Sequence, residues 1–171
     1  MQSRAKFLGH AIHPILIVFP LGLLITGVIF DVVYLIWGNP DMARVAFWMI
    51  AAGIIGGIVA APFGLIDWLS IPSNTRAKTI GALHGSANAI ALLLFIGSWW
   101  MRYDAPARPG TTASTLSFLG LAIAAVGGWL GGELVERLGV GVDEGANLDA
   151  PNSLTHETTQ PVKASTAGHA R

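Results

Sequence analysis

Four long apolar segments dominate the sequence and restrict what it can fold into. They run from about residue 14 to 37, 45 to 69, 80 to 100 and 115 to 135. Each is close to the ~20 residues that cross a hydrocarbon core of about 30 Å as an α-helix. Open strands are excluded there, because lipid cannot satisfy their free backbone groups. The sequence therefore predicts an all-α integral membrane protein with four spans.

The polar links between the apolar segments are short, so consecutive helices should be antiparallel neighbours. These links are residues 38–41, 70–79 and 102–114. They predict an up-down-up-down four-helix bundle that forms one transmembrane domain over residues 1–142. Residues 143–171 are polar and lack periodicity, which predicts a disordered C-terminal tail.

Composition agrees with a membrane protein and excludes several other classes. Of the 171 residues, 53% are hydrophobic and only 12% are charged, whereas soluble domains carry about a quarter charged residues. Ten basic residues balance ten acidic ones, so there is no field that would attract nucleic acid. The absence of cysteine excludes disulfides, thiolate metal sites and covalently attached haem. The expected partner is the lipid bilayer.

The distribution of basic residues predicts the orientation of the bundle. Four spans place both termini on one side of the membrane. Five basic residues lie near the membrane on that side and three on the other: Arg4, Lys6, Arg76, Lys78 and Arg137 against Arg44, Arg102 and Arg108. Because cytoplasmic loops carry the excess of Lys and Arg, both termini are expected in the cytoplasm. The protein itself is expected in the inner (plasma) membrane.

Small residues recur at helical spacing and predict the faces along which the helices approach one another. The groups are Gly53 with Gly57, Ala60 with Gly64, Gly81 with Gly85 and Ala89, Gly127 with Gly131, and Gly128 with Gly132. Such stripes usually mark helix contact. Less often they leave room for a flat cofactor.

Ionisable side chains in a membrane span are costly and need a reason to be there. The predicted topology gathers a polar cluster at one membrane face, made of His10, His13, Asp67, Arg76, His84, Glu133 and Arg137. His13 precedes the first span and His84 lies about one turn into the third, roughly 6 Å deep at ~1.5 Å per residue. The two histidines are therefore expected to face each other. Asn88 follows His84 by four residues and shares its face.

Each polar residue also has a purely structural explanation. These alternatives are a helix start at His13, an ion pair of Asp67 with Arg76, a hydrogen-bonded pair of His84 with Asn88, and an i,i+4 surface pair of Glu133 with Arg137. Asp31 lies towards the opposite face and is expected to pair with Arg44 or Arg102. No nucleophile–base pair, phosphate loop or complete metal motif stands out, so a stand-alone enzyme is not expected.

Several segments, taken in order, resemble a bacterial membrane family known as domain of unknown function 2231. They are GHAIHPIL at residues 9–16, FP at 19–20, Asp31, GLIDW at 64–68 before TRA at 75–77, His84 with Asn88, GGELV at 131–135, and GVGV at 139–142. The resemblance covers about residues 7 to 143. It implies a four-helix membrane domain without an established activity. Related domains occur beside cytochrome c or Rieske modules, which implies a b-type haem and a redox partner by association.

The first functional hypothesis is a membrane redox component that holds one haem b between the first and third helices. His13 and His84 would be the axial ligands. Asp67 or Asn88 would orient one of these ligands, and Arg76 would pair with a haem propionate.

The sequence departs from the family at two positions that bear on this hypothesis. Many relatives carry histidines where this chain has Val18 and near Leu138, which leaves His13 and His84 as the axial pair and His10 as a substitute.

Two further hypotheses belong to other classes. One is a membrane protein that binds a metal ion or moves protons or ions, with metal ligands drawn from His10, His13, His84, Asp67 and Glu133. The other is a structural membrane subunit, in which the polar cluster fixes helix packing and assembly.

Overall fold

The computed structural model describes residues 1–154. The predicted disordered tail falls largely on residues 155–171, which lie outside the described residues. Its described part, residues 143–154, forms turns and irregular backbone without helix or strand.

The regular secondary structure of the described residues is helical apart from one small β-hairpin. Strands β1 (Lys6–Phe7) and β2 (His10–Ala11) pair antiparallel. The helices that follow are α1 (Ile12–Leu16), α2 (Val18–Trp37), α3 (Pro40–Ser70), α4 (Arg76–Arg102) and α5 (Thr111–Gly132), which continues as a π-helix (Glu133–Arg137). Four helical segments among the described residues are long and apolar enough to cross a membrane. The predicted all-α, four-helix membrane fold is confirmed.

The last three spans begin about one turn earlier than their apolar segments do. At the start of α3 the Asn39 side chain accepts a hydrogen bond from the Asp41 amide at 2.9 Å, and Pro40 occupies the first helical turn. At the start of α4 the Thr75 hydroxyl accepts from the Lys78 amide at 3.1 Å. Such caps satisfy free amides of a first turn. Hydrophobicity missed these turns because their residues are polar.

The backbone hydrogen-bond pattern of the first span is broken once, between α1 and α2. Pro20 has no amide hydrogen to donate to the Leu16 carbonyl, whereas the amides of Ile17 and Leu21 bond to the carbonyls of His13 and Ile17 at 3.1 Å each. The two helices therefore form one continuous span, Ile12–Trp37. His13 lies in its first turn.

The bundle consists of two helical hairpins. Helix α2 packs mainly against α3, and α4 packs mainly against α5. A buried apolar cluster occupies the middle of the bundle, made of Leu24, Val28, Ile50, Ile54 and Phe95. This cluster separates the polar groups at the two ends.

The predicted small-residue faces are confirmed in part. A Cβ atom on Gly53, Gly57, Gly64, Gly81, Gly127 or Gly131 would lie 2.6–3.1 Å from a side chain of another helix. Gly85, Gly128 and Gly132 instead have nothing within 4 Å of a Cβ position, so the prediction for these three was wrong. Consecutive residues of a helix point about 100° apart, and only one of the two adjacent pairs on α5 can face α4.

The N-terminal segment crosses the end of the bundle at which α1 begins. The Met1 carbonyl accepts a hydrogen bond from the Gly141 amide at 2.8 Å. The Lys6 ammonium donates to the Asp143 carboxylate at 2.9 Å. The first residues are thus tied to the segment that follows the π-helix.

Candidate functional site

His13 is held by the second helix of its own hairpin. Its Nδ1 lies 3.0 Å from the Ala60 carbonyl oxygen of α3. Its ring rests on Gly64, where a Cβ would come within 2.8 Å of the His13 Cε1. A carbonyl oxygen only accepts hydrogen bonds, so Nδ1 is the donor and Nε2 of the neutral ring keeps a lone pair.

His84 is held in the same way in the second hairpin. Its Nδ1 lies 2.8 Å from the Gly127 carbonyl oxygen of α5. Its ring rests on Gly131, where a Cβ would come within 3.1 Å of the His84 Cε1. The same reasoning places the proton on Nδ1 and the lone pair on Nε2.

The two imidazoles meet across the bundle, which confirms the prediction that they face each other. Their ring centroids are 6.3 Å apart and their planes are inclined by 85°. An imidazole nitrogen binds a transition metal at about 2 Å, so two imidazoles on opposite sides of one metal ion have centroids about 6 Å apart. The centroid separation of the two rings matches this distance.

Asn88 lies beside His84, as its position four residues later predicted. Its Nδ2 donates to the His84 carbonyl at 2.9 Å and lies 3.3 Å from the His84 Nε2. A Cβ on Gly127 would fall 2.7 Å from the Asn88 Oδ1. The carboxamide therefore fills the space between the His84 ring and α5.

Asp67 does not pair with Arg76, and that prediction was wrong. Its carboxylate accepts hydrogen bonds from the Ser3 hydroxyl at 2.7 and 2.9 Å and from the Arg4 amide at 2.9 Å. Asp67 thereby anchors the N-terminal segment to the end of α3. Neither histidine bonds to it in the described residues, where both Nδ1 atoms are held by backbone carbonyls.

Arg76 pairs with Glu133 instead. Its Nη2 donates to the Glu133 Oε1 at 2.6 Å, with the Arg76 side chain 59% exposed. This ion pair joins the start of α4 to the π-helix and replaces the predicted surface pair of Glu133 with Arg137. A π-helix has a wider turn than an α-helix, so the i,i+4 spacing does not hold there.

The five residues predicted as metal ligands are not brought together. His10 is exposed, and its Nδ1 lies 3.1 Å from the Leu8 carbonyl. Asp67 and Glu133 bond to the groups described above. Within residues 1–154 no group of three or more His, Asp or Glu side chains is placed to hold a metal ion. The histidine pair is the part of the predicted metal set that the structure assembles.

The opposite end of the bundle contains a buried ion pair. Asp31 pairs with Arg102, which is one of the two predicted partners, and both side chains are 0% exposed. The contact is bidentate, with Nη1–Oδ1 and Nη2–Oδ2 distances of 2.5 and 2.7 Å. The other predicted partner, Arg44, bonds to Asp41 at 2.6 Å.

Two serines complete the environment of Arg102 and were missed from the sequence. The guanidinium Nε donates to Ser98 Oγ at 3.2 Å and Nη2 donates to Ser117 Oγ at 3.1 Å. Ser98 lies one helical turn before Arg102, which is a signal that the sequence does contain. Ser117 lies on another helix and carries no such signal.

The comparisons with known proteins give the family. The sequence profile of a family described as "Predicted membrane protein (DUF2231)" matches residues 9–144. No curated protein and no solved structure matches the chain. The matched residues include both histidines, the buried ion pair and all four spans. The chain therefore belongs to the DUF2231 family of predicted membrane proteins.

Proposed function

We propose that this protein is a haem b-binding electron-transfer component of the bacterial inner membrane, with His13 and His84 as axial ligands. One observation carries the proposal: two imidazoles from different hairpins meet at a centroid separation of 6.3 Å with nearly perpendicular planes. Bis-imidazole ligation is a common way of holding haem in a bundle of helices.

The hydrogen bonds of both histidines support this assignment. Each Nδ1 is engaged by a backbone carbonyl, at 3.0 Å for His13 and 2.8 Å for His84. A metal-binding histidine usually donates its other ring N–H in this way, which fixes the tautomer and the ring orientation. Gly64 and Gly131 supply the space that the two rings occupy.

When bound, haem b would supply a one-electron Fe(III)/Fe(II) couple. The residues of this chain hold the imidazoles in place, and the carbonyls that accept from Nδ1 leave Nε2 of each neutral ring as the nitrogen that can bind a metal. Asn88 restrains the His84 ring from the side. Asp67 and Arg76 are engaged by Ser3 and Glu133, so the proposal gives neither of them a contact with haem.

The test is an absorption spectrum of the detergent-purified protein, oxidised and dithionite-reduced, after expression with adequate haem supply. We expect the sharp reduced bands of low-spin b-type haem. His13→Ala and His84→Ala should lose them and remain folded. His10→Ala is the matched control, because His10 is exposed and bonds to the Leu8 carbonyl, and it should keep them.

A colourless, well-folded protein that also fails to take up added haem would exclude the proposal. A metal-binding or ion-handling protein, or a structural subunit, would then be the function to test. Metal analysis and identification of copurifying subunits separate those two.

A redox protein of this size needs an electron donor and an electron acceptor. We propose a cytochrome or another redox protein at the membrane surface as the partner.

We also propose an orientation for the bundle, in which the histidine end and both termini face the cytoplasm. The chain has no cysteine, so Ser73→Cys and Asp104→Cys each introduce one unique thiol. A membrane-impermeant thiol reagent added to intact cells should label the Asp104→Cys variant and spare the Ser73→Cys variant; the reverse result contradicts the orientation.

A further inference from the structure

The second helices of the two hairpins carry small residues in the same spacing. On α3 they are Ala46, Gly53, Ala60 and Gly64, and on α5 they are Ala113, Gly120, Gly127 and Gly131. The residue number of each member of the α5 set equals that of its counterpart on α3 plus one constant offset, which is the step from position 46 to position 113. Other residues at matched positions are mostly different.

The first helices place matching side chains on these small residues. Leu24 lies on Gly53, where a Cβ would meet it at 2.6 Å, and Phe95 lies on Gly120, where a Cβ would meet it at 3.0 Å. His13 lies on Gly64 and His84 lies on Gly131. Phe95 and His84 follow their counterparts by a second constant shift, the step from position 24 to position 95.

A third pair of helix contacts, one in each hairpin, is related by the same two shifts. A Cβ on Gly27 would lie 3.5 Å from the Ala46 carbonyl oxygen. The Ser98 hydroxyl donates to the Ala113 carbonyl at 2.6 Å. Ser98 corresponds to Gly27 and Ala113 to Ala46 by the same two shifts. Three successive levels of the two hairpins are therefore built alike.

Two pairs of polar groups that meet between the hairpins obey the shift that relates the first helices. His84 corresponds to His13, and Arg102 corresponds to Asp31. Residues that correspond under a two-fold rotation can touch each other only at the rotation axis. Since the first helix of each hairpin begins at the histidine end, the axis must run along the bundle, parallel to the membrane normal, as in membrane proteins with parallel repeats.

We propose that the chain is a tandem repeat of two equivalent hairpins, and that the His13–His84 site lies on the pseudo-two-fold axis between them. Its ligand is held by one imidazole from each hairpin. This deepens the proposed function and rests on it only for the identity of the ligand. The ligand class that the axis favours is a metal centre that one imidazole from each hairpin would hold, and a haem iron would be such a centre.

The position of Asn88 is where the two repeats differ near the site. Its counterpart in the first hairpin is Ile17, whose side chain cannot hydrogen-bond to His13. Asn88 therefore restrains one of the two imidazoles and leaves the other without an equivalent neighbour.

The equivalence of the hairpins can be tested without any ligand, by exchanging the charged pair together with its surroundings. The first half-exchange is Gly27→Ser, Asp31→Arg and Ile50→Ser. The second is Ser98→Gly, Arg102→Asp and Ser117→Ile, at the corresponding positions of the other hairpin. Each half alone leaves like charges buried against each other and should abolish the folded protein.

All six substitutions together rebuild the ion pair in mirrored order. If the hairpins are equivalent, this full exchange should fold, with an unfolding midpoint within about 5 °C of the parent protein. The measurement is helical content against temperature in detergent. Restoration supports the repeat, because an asymmetric surrounding would not accept a guanidinium at residue 31.

If the full exchange does not fold, a milder exchange in the apolar core decides. Leu24→Phe alone overpacks the core, whereas Leu24→Phe with Phe95→Leu conserves its volume. Recovery of the parent midpoint in the double variant supports equivalent positions. A double variant as unstable as Leu24→Phe alone would overturn the repeat.

The ligand is tested separately, so the two proposals fail in different ways. If the site is on the axis, His13→Ala and His84→Ala lose bound haem to the same extent, and the full exchange keeps it. Loss of haem in only one of the two histidine variants would overturn the shared site. A parent protein without haem would exclude the proposed function and leave the exchange results as they stand.

Discussion

The two ends of the bundle use their polar side chains in opposite ways. At one end the Arg102 guanidinium and the Asp31 carboxylate bond to each other, to two serines and to the Ala113 carbonyl. At the other end His13 and His84 each direct one ring nitrogen to a backbone carbonyl and keep the other as an acceptor. A saturated network stabilises a fold, whereas imidazole nitrogens that no backbone group engages are what a ligand requires.

The largest effect is expected from Arg102→Ala. It leaves the Asp31 carboxylate buried without its partner, and breaking a buried pair in this way destabilises a protein by about 3–5 kcal/mol. Unfolding in mixed detergent micelles, followed by circular dichroism, measures this. Arg44→Ala is the control, since its pair with Asp41 is exposed at 55% and 71% and should change the free energy of unfolding by less than about 1 kcal/mol. Equal effects of the two substitutions would show that burial of the Asp31–Arg102 pair adds nothing to its contribution to stability.

Gly64→Ala should give the next largest effect, because it tests the seat of His13. The added Cβ would lie 2.8 Å from the His13 Cε1, and overpacking of this kind destabilises by about 1–3 kcal/mol. Gly128→Ala is the matched control on a helix face with nothing within 4 Å of its Cβ position. Alanine is favoured over glycine in a helix by up to about 1 kcal/mol, so the control should be neutral or stabilising. If Gly64→Ala behaves like the control, His13 is not seated on Gly64.

A smaller effect on stability is expected from His13→Ala in protein prepared without haem. The variant loses the hydrogen bond to Ala60, and such bonds between membrane helices contribute about 1 kcal/mol. The same unfolding titration applies. A loss as large as that of Arg102→Ala would mean that the histidine end is a structural lock like the other end, and that the pair has no need of a ligand.

The smallest effect is expected from Arg76→Ala. Its ion pair with Glu133 lies near the surface, with Arg76 59% and Glu133 18% exposed, and exposed pairs contribute about 0.2–1 kcal/mol. A double-mutant cycle with Glu133→Gln isolates the coupling between the two side chains. A coupling free energy above that range would show that the Arg76–Glu133 pair is shielded from solvent. The histidine end would then be less accessible to solvent than the exposure of Arg76 indicates.

Sequence reasoning succeeded where helical geometry alone decides the outcome. Spacing and topology were enough to place His13 opposite His84, Asn88 beside His84 and Asp31 near Arg102. These positions depend on span boundaries and on the direction of each helix, both of which hydrophobicity reveals. Errors of one turn at the helix starts did not change which residues meet.

Sequence reasoning failed where the hydrogen-bond partner of a side chain comes from a segment without periodicity. Asp67 bonds to Ser3 and Arg4, and no pattern in the first residues of the chain predicts that they pack against α3. Arg76 was consequently assigned to Asp67 instead of Glu133. The choice between Gly127 with Gly131 and Gly128 with Gly132 also needed the structure, because both pairs have the same spacing.

The apolar cluster between the two ends has a consequence for what can pass through the bundle. Its members Leu24, Val28, Ile50, Ile54 and Phe95 are buried at 0–9% exposure. They lie between the histidine pair and the ion pair, which are equally far apart along the first span, from 13 to 31, and along α4, from 84 to 102. At ~1.5 Å per residue this is about 27 Å of helix.

An apolar layer between groups so far apart offers protons no chain of hydrogen bonds through the part of the bundle that the structure describes. Under the proposed function, an electron held at the histidine pair would be exchanged with partners at that same membrane surface, so the protein by itself would not build a transmembrane voltage.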